Sequence, residues 1–192
     1  MPTVGPLPTP SELAGQVIHL LSRAEALFGP RNSSYTFQGI TFFRDGPCLV
    51  YPPGHLPVVQ IALHQECVAP TYYPDQFLHQ LSHEVVHLLE ADGGQDGTML
   101  EEGAAVWFSI NEPVYWDDGY ASLAHMDCLG EVGNYGVAYR HYLNLTAIEP
   151  DAVRLIRAYC RLGDVTADVI QSVAPTCPRS VAEELCVRRK MR

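Results

Sequence analysis

The chain has 192 residues, 47% hydrophobic and 18% charged, a mixture that excludes intrinsic disorder and fits residues 1–192 into a single domain with a sizeable core. Its 12 basic and 22 acidic side chains give a formal net charge of −10, so neither nucleic acid nor an anionic membrane surface is expected as a partner. No run approaches the ~18 apolar residues of a membrane span.

The first ten residues are rich in Pro and lack the charged and apolar regions of a secretory signal, which points to a cytoplasmic protein. Thr9, Pro10 and Glu12 then form a helix start: Thr9 as cap, Pro10 at the first helical position, Glu12 completing a capping box. Leu13, Val17, Leu20, Leu21, Ala24 and Leu27 follow at helical spacing, and Gly29-Pro30 ends the run. Residues 34 to 63 read as a strand meander. Tyr35–Phe37 and Ile40–Phe43 are β-rich, Asp45-Gly46 is a hairpin signal before Cys48–Tyr51, and Val58–Leu63 is a further strand. From Pro74-Asp75 onward helices dominate. One runs to about Ala91, and others are predicted at 98–110, 134–145, 151–162, 166–173 and 179–188. Strands followed by a run of helices indicate an α+β domain. The six cysteines form no CxxC pair and read as mostly buried thiols; the sequons at Asn32 and Asn144 carry no weight without export. Arg188, Arg189, Lys190 and Arg192 read as a solvated basic tail. No feature specifies an oligomeric state.

The chemistry concentrates at His83-Glu84-Val85-Val86-His87, inside FLHQLSHEVVHLLEA, a run of strong helix formers. Residues four apart share a helix face, about 6 Å apart along the axis, so both imidazoles can meet one ion at ~2.0–2.1 Å. Leu81, Val85, Val86, Leu88 and Leu89 predict a buried helix, in which two histidines and a glutamate need partners. A metal supplies them, and Glu84 is left to act as a base toward water. A third ligand cannot follow the metzincin spacing, because Glu90 and Gly93 stand where Gly and His or Asp would be needed. A carboxylate from a second helix remains. After a Gly-rich loop comes TMLEEGAAVWF, in which Thr98 and Glu101 stand in capping-box register. That gives Glu101 a structural duty and turns Glu102 toward the metal. Gly103, Ala104 and Ala105 are small enough to let this helix approach the first.

HEVVH followed by LEEGAA resembles the gluzincins, zinc peptidases with an HExxH helix and a later Glu ligand. Glu101-Glu102-Gly103-Ala104-Ala105 is similar to the Asn-Glu-Gly-x-Ala segment of their aminopeptidase-like branch, over about residues 58–110. The resemblance implies a zincin-like α+β fold in which an N-terminal helix and a small twisted sheet pack on the HExxH helix, with a helical C-terminal half. It implies Zn2+ on His83, His87 and Glu102, Glu84 as general base, and a peptide or protein substrate. It makes Val58–Leu63 the edge strand above the cleft. No Gly-x-Met-Glu-Asn motif is present, so recognition of an amino terminus is not implied.

A peptidase also needs a donor for the oxyanion. Tyr115, Tyr120, His125, Tyr135, Tyr139 and His141 are all available; Tyr139 and Tyr135, on one helix, are the leading candidates, although tyrosines at helical spacing usually belong to the core. His79, four residues before His83, reads as a rim residue rather than a fourth ligand, and Trp107, Tyr115 and Trp116 as packing. The rival to a peptidase is a non-catalytic zincin-like domain that uses its metal for structure or partner binding.

Overall fold

The computed structural model describes residues 8–31, 34–54, 57–68, 72–94 and 96–189; most of the Pro-rich start, Asn32, Lys190 and Arg192 lie outside them. Helix α1 (Pro10–Phe28) begins with the reciprocal cap: Glu12 N–H donates to Thr9 Oγ1 at 3.3 Å, and Thr9 N–H donates to the Glu12 carboxylate at 2.7 Å. Val17, Leu20, Ala24 and Phe28 form its buried stripe. Gly29 ends it with φ at 94°, a left-handed value that glycine adopts without strain.

The two β-rich runs near residue 40 are one strand, β1 (Thr36–Phe43), with an irregularity between Phe37 and Ile40. It is followed by β2 (Cys48–Val50) and β3 (Val58–His64). These do not form the expected meander. The order is β1-β3-β2, with β1 parallel and β2 antiparallel to β3. Val59, Ile61, Ala62 and Leu63 of β3 are fully buried, so the most apolar strand takes the centre, where both its edges are paired. The Asp45-Gly46 link therefore does not close a hairpin. It lies against the end of β3, where a Cβ on Gly46 would come within 2.7 Å of the Leu63 backbone. The predicted edge strand is thus the central one, and the edges are β1 and β2.

Helix α2 (Pro74–Leu88) carries the His-Glu-His motif and packs against α1, the sheet and α3 (Met99–Asn111). The chain continues through α4 (Tyr120–Gly130), α5 (Asn134–Ile148), α6 (Ala152–Arg157), α7 (Ala167–Val173) and α8 (Arg179–Leu185). The class is α+β: an N-terminal helix, a small mixed sheet and a mostly helical remainder. Helix α4 was not expected, because its apolar residues form no stripe; none of its side chains is buried. Gly103 serves a different neighbour from the one its spacing suggested. A Cβ there would lie 2.5 Å from Ala138 O and 2.7 Å from Tyr142 Cβ, so it admits α5 rather than α2.

Three arginines satisfy carbonyls at the C-terminal end of α2, the groups a helix leaves without internal partners. Arg31 Nε donates to Leu88 O at 3.1 Å, Arg157 Nη2 to Leu89 O at 3.5 Å and Arg161 Nη2 to Glu90 O at 2.9 Å. Arg157 also ties in the end of α1. It donates to Phe28 O and Gly29 O, both at 2.7 Å, and pairs through Nε with Glu90 Oε1 at 2.7 Å. The other Glu90 oxygen accepts Leu162 N–H at 2.6 Å.

Arg188 and Arg189 are not a solvated tail. Arg188 bridges Thr98 in antiparallel fashion and donates to Asp96 O and Gly163 O, while Arg189 pairs with Glu184. All six cysteines are free thiols, but only Cys67 and Cys177 are buried; Cys48 is exposed. Among the described residues no helix is long and apolar enough to cross a membrane.

Candidate metal centre

His83 and His87 lie one helical turn apart on the face of α2 that meets the first turn of α3. Thr98 caps α3 as expected, its Oγ1 accepting Glu101 N–H at 3.3 Å. That cap fixes the phase of the helix and aims two consecutive carboxylates at α2. Glu102 Oε2 stands 3.4 Å from His83 Nε2 and 3.5 Å from His87 Nε2, and the two Nε2 atoms are 3.2 Å apart. Ligands held tetrahedrally at ~2.0–2.1 Å from a zinc ion are ~3.3–3.4 Å from one another. The three donor atoms thus outline one face of such a tetrahedron.

The chemistry of the donors fits a cation as well. Glu102 Oε2 is buried and has no hydrogen-bond partner among the described residues; its contacts to the imidazoles do not have hydrogen-bond geometry. A buried carboxylate oxygen without a partner is costly. Burial opposes its ionisation, but the facing charge of His87 and contacts to both histidines outweigh this and hold the Glu102 carboxyl far below the usual carboxylate range. For His87, burial works against the charged ring, yet Glu102 and Glu101 together raise its affinity for a positive charge well above the ordinary value. The site is therefore built to hold positive charge between these side chains. Buried His83 and Glu84 and half-buried His87 form a cluster whose ligand atoms all lie within 4.8 Å of one another, and it could hold a metal ion.

Glu84 is buried on the same helix, and burial raises its pKa against the opposing pull of His87 and His83. A carboxyl held in that way is a better proton acceptor than an exposed one.

Glu101 departs from expectation. Thr98 still caps the helix, but the Glu101 side chain does not return to Thr98 N–H. Its Oε1 instead accepts His87 Nδ1–H at 2.8 Å. In a neutral imidazole this fixes the proton on Nδ1 and turns the Nε2 lone pair toward Glu102 and His83. If a metal occupies this site, Glu101→Ala is therefore expected to weaken its binding by about 10–100-fold with the fold retained. Thr98→Ala should instead cost about 0.5–2 kcal/mol of stability. Chelator competition and urea unfolding on both variants check this, and unchanged metal affinity in Glu101→Ala would remove its role.

Tyr139 is placed elsewhere. It is 1% exposed, packs with Val106 and Ile110, and its hydroxyl lies 2.7 Å from His125 Nδ1. It does not line the cleft and is not positioned to meet an oxyanion there. Tyr135, one turn earlier, does line the cleft and stands edge-on to His83, with ring centroids 5.7 Å apart. Burial, then Glu102 and Glu84, push its pKa up, so its hydroxyl keeps its proton at neutral pH. His79 is not a fourth ligand either. Its Nδ1 lies 3.2 Å from the Tyr115 hydroxyl, which itself donates to Ser109 O, and its ring packs on Tyr120. Trp107 packs on Phe28 and Tyr142, whereas Trp116 is 70% exposed.

The donors open into a cleft of about 700 Å³, walled on one side by Pro47, Cys48, Leu49 and Tyr51 and on the other by the loop between α2 and α3. The strand beside it is β2, an edge of the sheet. Asp92 N–H donates to the Tyr51 hydroxyl at 3.1 Å and joins the two walls. No family model, curated protein or solved structure matches this chain.

Proposed function

We propose that this protein is a zinc-dependent peptidase of the gluzincin type, with a zincin-like fold and with the metal held by His83, His87 and Glu102. The observation that carries the reading is the triangle of donor atoms, 3.2 to 3.5 Å on a side, with the buried Glu84 carboxyl beside it. Zinc supplies a Lewis acid that polarises a carbonyl and brings the pKa of a water down to ~7.

The protein's own groups do the rest. Glu84 takes the proton from the attacking water and passes it to the leaving nitrogen. Tyr135, in place of Tyr139, donates its hydroxyl proton as a hydrogen bond to the oxygen that gains charge. Glu101 holds His87 in the tautomer that leaves Nε2 free to ligate. The free edge of β2 offers backbone groups along which an extended peptide can lie. A purely structural site would have no use for Glu84, a retained base buried next to the ligands.

Purified protein is expected to carry about one zinc per chain, and His83→Ala and Glu102→Ala to lose it. Elemental analysis of the three proteins checks the ligands, and digestion of an unbiased peptide library checks the reaction. Full zinc in both variants would refute the ligand set. Zinc without cleavage of any peptide would favour a structural or partner-binding metal domain.

A further inference from the structure

Helix α4 is apolar on both sides, and its larger side chains are on the outer one. The small residues Ala124 and Cys128 pack on the Val106, Ile110 and Tyr139 cluster, while Leu123, Met126 and Leu129 are 57%, 61% and 40% exposed. Their spacing of three sets them in one row along the helix. Trp116, just before the helix, is exposed too, yet its backbone is fixed. The buried Asp75 carboxylate accepts Trp116 N–H at 2.7 Å and Asp117 N–H at 3.2 Å, and the Tyr115 and Tyr120 rings pack across the same turn with centroids 4.6 Å apart. The fold thus holds a large aromatic side chain ready in solvent, and such residues dominate interface energetics. Exposed carboxylates border the row: Asp117 and Asp118 before it, Asp127 within the helix and Glu131 beyond. Between Arg44 and Arg140 the sequence has no Lys or Arg. The arginines on either side of this stretch are engaged. Arg23 pairs with Glu112 at 2.7 Å, and Arg140 Nη1 turns under the end of α4 to Leu129 O at 3.0 Å and Glu131 O at 2.8 Å.

We infer that α4 and Trp116 form a docking surface for a partner protein that presents a basic amphipathic helix. Its apolar side covers Leu123, Met126 and Leu129 beside Trp116, and Lys or Arg at its margins meets Asp117, Asp118 and Asp127. Charge selects this occupant. A second copy docked on the same row would set these carboxylates against one another, and an anionic lipid surface would meet the same repulsion. None of these residues lines the metal cleft, so the inference is independent of the peptidase reading.

The probe is a labelled Leu-Lys peptide of about 18 residues with its leucines at helical spacing. Two peptides are compared with it: the same sequence with Glu for Lys, and a shuffled one of the same composition. Binding to the full chain is read by fluorescence anisotropy at ~0.15 M salt, where attraction between distant exposed charges is screened. The basic amphipathic peptide is expected to bind about 10-fold more tightly than either of the others. Leu123→Ser with Met126→Ser should weaken it about 10-fold without moving the urea midpoint, because no side chain of α4 is buried. Trp116→Ala is a second variant with the same expected loss, and it keeps the loop, whose anchoring bonds are made by the backbone. Asp117→Asn, Asp118→Asn and Asp127→Asn together should remove most of the preference for Lys over Glu. Ile18→Ser with Leu155→Ser, exposed apolar residues on other helices, should bind within about two-fold of wild type. Equal binding of the three peptides, no binding of any, or binding undiminished in both the α4 and the Trp116 variants would overturn the inference. So would a dimer in sedimentation that Leu123→Ser with Met126→Ser dissociates, since the occupant would then be a second copy.

Discussion

On the proposed peptidase reading, Glu84→Gln protein is expected to keep its fold and its zinc and to lose peptide hydrolysis by about 10²–10⁴-fold. Gln has nearly the shape of Glu, so the packing of Val85 and Leu88, both fully buried on the same helix, should be undisturbed. The change removes the group that accepts the proton while leaving His83, His87 and Glu102 in place. Turnover of the best library peptide, measured with zinc content for both proteins, decides it. Equal turnover would mean that Glu84 is not the base.

Arg157→Met is expected to destabilise the protein by about 3–5 kcal/mol, the largest stability effect predicted for a single side chain. The Arg157 and Glu90 side chains are only 6% and 8% exposed, so the loss of one strands the other in the interior. The same substitution removes the donors to Phe28 O, Gly29 O and Leu89 O, which close the ends of α1 and α2. Replacing Glu90 by Leu in the same protein should recover part of the loss, because it removes the stranded charge but not the need of those carbonyls. Urea unfolding of the single and double variants measures both. A change below about 1 kcal/mol for Arg157→Met would show that the pair behaves as a surface bridge.

Much of the candidate site's geometry was legible because it obeys local periodicity. His83 and His87 are brought together by one helical turn, and Thr98 sets the phase that turns Glu102 inward. The same local rule misread Glu101. A capping box and a hydrogen bond to His87 compete for one carboxylate, and only the packing of α3 on α2 decides in favour of the histidine. Tyr135 and Tyr139 differ by one turn, and the sequence has no marker for which of them faces the cleft. The strand order failed for a related reason. A turn signal at Asp45-Gly46 is local, whereas the parallel pairing of β1 with β3 is decided by which strand buries both faces. Helix α4 lacks any buried stripe, so the pattern that revealed the other helices is missing from it.

The antiparallel bridge between Thr98 and Arg188 has a bearing on biosynthesis. Met99 N–H donates to Val187 O, and Arg188 donates to Asp96 O, 92 residues earlier in the chain. The strand-like contact that steadies the first turn of α3, and with it Glu101 and Glu102, is made by a segment that the ribosome delivers long after the HExxH helix. The nascent chain can form α2 and expose its histidines well before the carboxylates that complete the site are held in position. On the proposed reading, metal capture should therefore come late, as one of the last events of maturation rather than as the nucleus of folding.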